Sequence, residues 1–104
     1  MTRVFIHEQA ERDLAGISAY IRRHNQDASA AFEIAAMESV ALLAAHPLLG
    51  PKPRFTFTKH PHLRFWVITR FPNYLIFYEE EPTLVNVVRV LHGARDPERV
   101  FKKL

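Results

Sequence analysis

The sequence predicts an α+β domain: a short N-terminal strand, an α-helical hairpin packed on a mainly antiparallel sheet, and a short C-terminal helix. Two observations lead to this class. Apolar residues recur at helical spacing over residues 8–46, and after residue 53 the chain changes to short aromatic and β-branched runs separated by prolines and turn residues. With 104 residues and 48% hydrophobic composition, we expect one globular domain over residues 1–104.

The N-terminal elements follow from residue type and spacing. Residues 3–6 form a β-branched and aromatic run that predicts a short strand. A first helix is expected from Glu8 to about Arg23, because acidic residues lie near its start and basic residues near its end, where the helix dipole favours them. Its apolar side consists of Ala10, Leu14, Ile17 and Ile21.

A second helix is expected from Asn25, a suitable N-cap, to about His46, where Pro47 ends it. Two apolar strips run along this helix. The first consists of Ala28, Phe32, Ala35, Ser39 and Leu43, and the second of Ile34, Met37 and Ala41. Two strips on one helix indicate two neighbours, of which the sheet is one.

The rest of the chain predicts an antiparallel meander of four strands, at residues 54–58, 63–69, 74–78 and 84–91. Side chains alternate along a strand, so the last strand has Val85, Val87, Arg89 and Leu91 on one side and Leu84, Asn86, Val88 and Val90 on the other. The second sheet face thus mixes apolar side chains with arginines, and we expect it to be either partly covered or open to a partner.

A short C-terminal helix is expected from Pro97 to about Lys103. Gly93 allows a positive φ that turns the chain off the last strand, and Asp96 is a preferred N-cap residue.

Composition limits the function classes. The chain has no cysteine, which excludes disulfides, thiolate nucleophiles and cysteine-ligated metal sites. No uninterrupted apolar run of transmembrane length or secretory signal occurs, so we expect a soluble cytoplasmic protein without membrane contact. Residues 1–50 carry four Lys and Arg against six Asp and Glu, whereas residues 51–104 carry ten against five. This basic C-terminal half is suited to nucleic acid, an acidic protein segment or solvent.

Few motifs carry recognisable chemistry. Glycine-rich phosphate loops, the hydrolase nucleophile elbow and the zincin motif are absent from the sequence. His60 and His62, with His46 or Glu79, are a weak candidate for a metal site, and solvated loop histidines are the better interpretation. We therefore expect no metal and no cofactor. The run of three glutamates at 79–81 is interpreted as a solvated hairpin tip.

The basic residues of separate strands and loops are more informative. Lys52, Arg64, Arg70, Arg89 and Arg95 could converge on one face. Guanidinium groups there would stabilise a phosphodiester's developing charge, with His92 as the nearby group for proton transfer. Non-catalytic roles for these arginines are favoured.

Taken together, the motifs resemble the ParE branch of the RelE/ParE toxin superfamily over nearly the whole chain. Helix 1 matches A-x-x-D-L-x-x-I-x-x-Y-I through Ala10, Asp13, Leu14, Ile17, Tyr20 and Ile21. The later matches are Asn25, Ala30 and Ala31; P-x-L-G at Pro47, Leu49 and Gly50; L-R at Leu63 and Arg64; Y-x-I-F-Y at Tyr74, Ile76, Phe77 and Tyr78; and R-V-L-H-G-A-R-D from Arg89 to Asp96.

The resemblance implies a toxin of a bacterial type II toxin–antitoxin pair, of the kind linked to plasmid stabilisation and growth arrest. It implies neutralisation by a ParD-like antitoxin in a hetero-oligomer, contact with DNA only through that antitoxin, and inhibition of DNA gyrase by protein contact. RelE-type relatives instead cleave mRNA on the ribosome, and in that alternative Arg64, Arg89 and His92 would be catalytic. A non-toxic relative that only binds its antitoxin is a further alternative.

Residues 97–104 contain no Tyr or His, the acid/base group usual in the nucleases, so binding rather than catalysis is favoured. We expect the antitoxin to pack on the helical hairpin and to offer acids to the basic half of the chain. The residues expected to bind antitoxin or target are Leu14, Ile17, Tyr20, Ile21, Ile34, Met37, Arg64, Trp66, Arg89, His92 and Arg95.

Overall fold

A computed structural model describes residues 3–103 and has the predicted α+β architecture. The strands are β1 (Arg3–Ile6), β2 (Leu63–Ile68), β3 (Phe71–Glu81) and β4 (Leu84–His92), and the helices are α1 (Glu8–Arg22), α2 (Gln26–Ala45) and α3 (Pro97–Lys102). The sheet order is β1-β4-β3-β2, with β1 parallel to β4 and the other pairs antiparallel. The predicted fold class is confirmed.

The α1–α2 hairpin is held by a cap and a seam of small residues. The Asn25 side chain accepts from the backbone N–H of Ala28 at 3.0 Å, which confirms the predicted N-cap of α2. Between the helices, the Ser18 and Ser29 hydroxyls lie 2.8 Å apart, and Ser29 Oγ donates to the Ser18 carbonyl. Small, mutually bonded side chains let the two helices pack closely.

The main core lies between the hairpin and one face of the sheet. From α2, Phe32, Ala35 and Leu43 are fully buried, and Ile76 and Tyr78 of β3 are buried in the same core. By length and composition α2 could cross a membrane, with mean hydropathy 1.5 over an 18-residue window. Composition alone therefore does not support our expectation that no segment could do so. The burial of one α2 face against the sheet is typical of a globular core helix.

The second sheet face is covered, and the predicted strand at residues 54–58 is wrong. This segment has no strand conformation, and Phe55 and Phe57 pack instead on a second core that includes Phe77 and Phe101. The ring centroids of Phe57 and Phe101 are 5.6 Å apart, and those of Phe77 and Phe101 are 5.1 Å apart. The phenylalanines that resemble a strand pattern are thus the apolar side of a covering loop.

A bulge in β4 changes the predicted alternation of its side chains. Phe77 pairs with Arg89 and Tyr78 with Val87, so Val88 is an extra residue without a partner in β3. Beyond it, Val90 joins the main core with Val85 and Val87, whereas Leu91 joins the second core with Val88. The prediction that Val90 and Val88 share a side is therefore wrong.

The turns also differ from expectation. Gly93 does not have a positive φ; it starts a 3-10 turn, Gly93–Arg95, and the left-handed residue is Asp96 at φ 54°. Asp96 precedes α3 but its side chain makes no capping hydrogen bond. Residues 71–73, expected to break the sheet, belong to β3. The two-residue turn before β3 places Arg70 at φ 69°.

The connector after α2 is clamped to the sheet by Tyr78. The Tyr78 hydroxyl donates to the Pro47 carbonyl at 2.8 Å and accepts from the Gly50 N–H at 2.9 Å. Arg64 Nη1 donates to the Gly50 carbonyl at 2.8 Å. Burial raises the pKa of Tyr78 above its ordinary value of 10.0, against the smaller opposing effects of the Gly50 bond and the Arg64 charge.

Candidate functional site

An open groove of about 620 Å³ lies between α1 and the ends of β3 and β4. Antiparallel pairing places Tyr74 of β3 opposite His92 of β4, and the 3-10 turn that follows brings in Arg95. The wall on the other side is the exposed face of α1. The groove residues are Arg12, Asp13, Gly16, Ile17, Tyr20, Tyr74, Val90, His92 and Arg95.

Aromatic rings form much of the groove. The Tyr74 and His92 rings meet edge to face with centroids 5.1 Å apart, and the other side of Tyr74 contacts Phe32 of the core at 5.4 Å. Tyr20 is 56% exposed. Burial, and secondly the proximity of Tyr20, raises the pKa of Tyr74 above its ordinary value of 10.0. Its hydroxyl, like that of any tyrosine, is neutral and can donate a hydrogen bond at neutral pH.

His92 has a defined hydrogen-bonding role. Its Nδ1 accepts from the backbone N–H of Ala94 at 3.0 Å. In the neutral ring, the proton then resides on Nε2, which is a donor. His92 is half-buried, and it therefore offers the groove a donor to a partner's carbonyl or carboxylate.

Beneath the groove, Asp13 and Arg89 form a buried ion pair. Arg89 donates to Asp13 through Nε at 2.7 Å and through Nη2 at 3.0 Å, and the same carboxylate accepts from the Val90 N–H at 3.0 Å. Their side chains are 7% and 8% exposed for Asp13 and Arg89. The pair fastens α1 to β4 beside the bulge and leaves this carboxylate with three donors.

The structure brings together four of the residues expected to bind antitoxin or target: Ile17, Tyr20, His92 and Arg95. Arg89 lies below them in the ion pair with Asp13. Leu14 and Ile21 are half-buried and pack against the main core, so they support α1 more than they present a surface.

Ile34 and Met37 form a separate surface on the outer side of α2. They are 58% and 46% exposed and, with Ala41, line a shallow apolar depression flanked by Glu33 and Glu38. Glu33 also accepts a hydrogen bond from Ser18 at 2.7 Å. This exposed side is the second apolar strip that the sequence predicts, and we call it the α2 strip.

Arg64 and Trp66 lie on β2, two strands away from β4, and neither lines the groove. Arg64 is hydrogen-bonded to the connector carbonyl of Gly50. Trp66 packs against the main core, and its buried indole N–H has no hydrogen-bond partner among residues 3–103. The five basic residues therefore do not converge on one face. Arg70 instead pairs with Glu38 of α2 at 3.4 Å, and Lys52 lies on the exposed connector.

The weak metal candidate has another explanation. His60 Nδ1 lies 2.5 Å from a Glu79 carboxylate oxygen, and the other oxygen accepts from the His62 N–H at 3.2 Å. Glu79 is thus a partly buried loop anchor, which corrects its interpretation as part of a solvated hairpin tip. Within residues 3–103, no three His, Cys, Asp or Glu side chains are grouped to hold a metal ion.

Several groove residues were missed at the sequence level: Arg12, Asp13, Gly16, Tyr74 and Val90. Asp13 and Tyr74 do belong to the motifs of the family resemblance, but only the strand register and the helix crossing show that they share a surface. The sequence feature that could have indicated Asp13 is an acidic residue within a helix whose apolar residues recur at helical spacing.

Comparisons with known proteins give a family match and a likeness in fold. Residues 4–97 match the family model described as the ParE toxin of the type II toxin–antitoxin system parDE. No curated protein matches the chain. Among solved structures, the chain is similar in fold to one from a chromosomal ParDE toxin–antitoxin system of P. aeruginosa, with a TM-score of 0.73 at 15% identity, covering 88% of this chain and 96% of that one.

Proposed function

Because the chain belongs to the ParE family of type II toxin–antitoxin toxins, we propose that it arrests growth by binding DNA gyrase and that a ParD-like antitoxin neutralises it. The same proposal places the protein in the cytoplasm, where gyrase acts on DNA.

One observation supports action by binding rather than by RNA cleavage: both strand arginines are already engaged inside the fold. Arg89 is buried in an ion pair with Asp13 that has two hydrogen bonds. Arg64, on β2, donates a hydrogen bond to the Gly50 carbonyl of the connector. A metal-independent nuclease needs cations free to meet the scissile phosphate, beside a proton-transfer group. The three residues of the nuclease alternative do not share one site. Arg64 lies on β2, Arg89 lies in the buried ion pair, and His92 lies in the groove.

The groove and the α2 strip support a peptide-like antitoxin segment. The groove combines aromatic rings, the apolar Ile17 and exposed arginines, a surface suited to a segment with apolar anchors and acidic residues. The α2 strip offers two exposed apolar side chains on the outer face of the hairpin. A segment that wraps around the hairpin would cover both surfaces.

Induction of the chain alone in bacterial cells tests the proposed target class. We expect growth arrest with DNA-damage signalling, because a poisoned gyrase leaves broken DNA. Primer extension on abundant messages, measured in the same cultures, should show no new cleavage ends.

New message ends without DNA-damage signalling would favour the RelE-type alternative, in which a nuclease site forms only on the ribosome. Normal growth with folded chain present would leave the non-toxic, antitoxin-binding alternative. A culture carrying the empty expression vector serves as the control for the burden of induction.

A further inference from the structure

A second cavity, distinct from the groove, lies between β4, the 3-10 turn and α3. It has a volume of about 310 Å³ and is lined by Arg89, Arg95, Arg99, Val100 and Lys103. Four of its five lining residues are cations. Four of the ten Lys and Arg residues in the C-terminal half of the chain therefore lie around one cavity.

Most of these charges are not neutralised within the chain. Arg95 and Lys103 have no ion-pair partner within residues 3–103. Arg99 has only Asp96, at 4.0 Å with both side chains mostly exposed, a contact of little energy in water. Arg89 backs the cavity while bonded to Asp13. Three cations are thus available to an external anion.

The spacing of the available cations suits a repeating anion. Arg99 and Lys103 are four residues apart and so lie about 6 Å apart along the helix axis, and Arg95 extends the series from the preceding turn. A phosphodiester backbone presents charges at a regular repeat, and guanidinium groups bind phosphate oxygens in pairs. The cavity has one apolar residue, Val100, so it lacks the apolar anchors that a peptide would use.

We propose that this cavity binds the phosphodiester backbone of a nucleic acid directly and without regard to sequence. The proposal goes beyond the proposed gyrase contact and departs from our expectation that the chain reaches DNA only through its antitoxin. Arg95 lines both the groove and this cavity. A partner that takes Arg95 in the groove therefore competes with nucleic acid for it.

The test is fluorescence anisotropy of labelled duplex DNA, and of RNA of the same sequence, with the whole chain over a series of salt concentrations. Arg99→Gln with Lys103→Gln removes two of the available cations outside the groove. Each phosphate contact contributes about 0.9 to the slope of log affinity against log salt for duplex DNA. We expect the double variant to lose about two units of slope and at least about tenfold in affinity at low salt.

The matched control is Arg22→Gln with Arg23→Gln, which removes the same charge from the exposed end of α1. Circular dichroism confirms that each variant is folded. The proposal is supported if the control variant keeps the wild-type slope of log affinity against log salt. The nucleic acid that binds more tightly, DNA or RNA, is then the one that the cavity favours.

Equal losses in both double variants would overturn the proposal, because net charge alone would then explain binding. It would also be overturned if wild type bound neither nucleic acid at low salt, or if the Arg99 and Lys103 changes weakened binding of a poly-glutamate peptide but not of nucleic acid. The last result would assign the cavity to an acidic protein segment.

Discussion

Asp13 and Arg89 are 76 positions apart in the chain, yet their buried ion pair joins the hairpin to the sheet. The sequence predicts that Arg89 contacts antitoxin, target or phosphate. The structure shows why that role could not be decided from sequence. The Arg89 side chain is already bound to the buried Asp13 carboxylate. Only the crossing of α1 over β4 brings these two residues together. Charge reversal at Arg64 and Arg89 would therefore disturb the fold, so a change in partner affinity could not be assigned to lost binding contacts.

Asp13→Asn should destabilise the protein by about 3–5 kcal/mol, because it leaves the buried Arg89 guanidinium without a countercharge. Urea denaturation measures the loss. Glu38→Gln is the control, since it removes a carboxylate from an exposed pair with Arg70 and should change the free energy of unfolding by less than about 1 kcal/mol. Similar small losses in both variants would show that the buried pair contributes no more than a surface pair.

Because of Tyr78, the free energy of unfolding should decrease as pH rises in the alkaline range. Its pKa is raised in the folded state by burial, so its contribution is complete below pH 10.0 and is lost as pH rises through the folded-state value. Tyr78→Phe also removes two hydrogen bonds of the hydroxyl and should cost about 1–3 kcal/mol at neutral pH.

Ultraviolet titration of phenolate absorbance checks this directly. The difference between wild type and Tyr78→Phe should be one phenol that titrates above pH 10.0. A difference spectrum that titrates at or below this value would contradict the burial of Tyr78 against the connector.

At the scale of elements, both helices of the hairpin were predictable because apolar spacing, caps and Pro47 all agree. Three features were not. The segment at residues 54–58 has strand-like residues but folds as a loop, because the second sheet face needs a cover and Phe55 and Phe57 supply it. The β4 bulge and the left-handed conformation of Asp96 depend on strand register and local packing. Neither position has a glycine that would have marked an unusual backbone conformation in the sequence.

The two glycines outside the C-terminal turn should respond in opposite ways to alanine. A Cβ at Gly50 would lie 2.3 Å from the Phe65 carbonyl oxygen, so the connector must move. We expect Gly50→Ala to cost about 1–3 kcal/mol or more and to free the Tyr78 hydroxyl.

Gly16 lies in the middle of α1, and within residues 3–103 no atom beyond its chain neighbours and the nearby helix backbone would lie within 4 Å of a Cβ there. Gly16→Ala should therefore stabilise the protein by about 0.5–1 kcal/mol through helix propensity. Thermal melts of the two variants are the measurement. A stable Gly50→Ala protein would show that the clamp of the connector to β2 and β3 is loose.

At the scale of the whole molecule, one side of the sheet is closed by the hairpin and the other by a loop and α3. Partners are therefore left with surfaces at the margins of the sheet and on the outer side of the hairpin. The groove, the α2 strip and the basic cavity are three such surfaces with different chemistry. The sequence predicts binding residues on all three surfaces. It also predicts Arg64 and Trp66, which lie on β2 outside these surfaces.

The α2 strip should contribute to antitoxin affinity without contributing to stability. Ile34→Gln with Met37→Gln should weaken the complex with the cognate antitoxin by at least about tenfold, because burying such side chains is worth about 1.5–3 kcal/mol each. Isothermal titration measures the change. Leu48→Gln with Leu49→Gln is the matched control, since these are exposed apolar residues of the connector. Equal affinity of both variants would show that the antitoxin leaves the strip uncovered.

The central claim, action by contact with gyrase, is tested most directly by a supercoiling assay with purified gyrase, relaxed plasmid and the purified chain. We predict that the chain blocks supercoiling as its concentration approaches that of gyrase, and that adding the antitoxin restores it. Full supercoiling in the presence of a large excess of folded chain would contradict the claim.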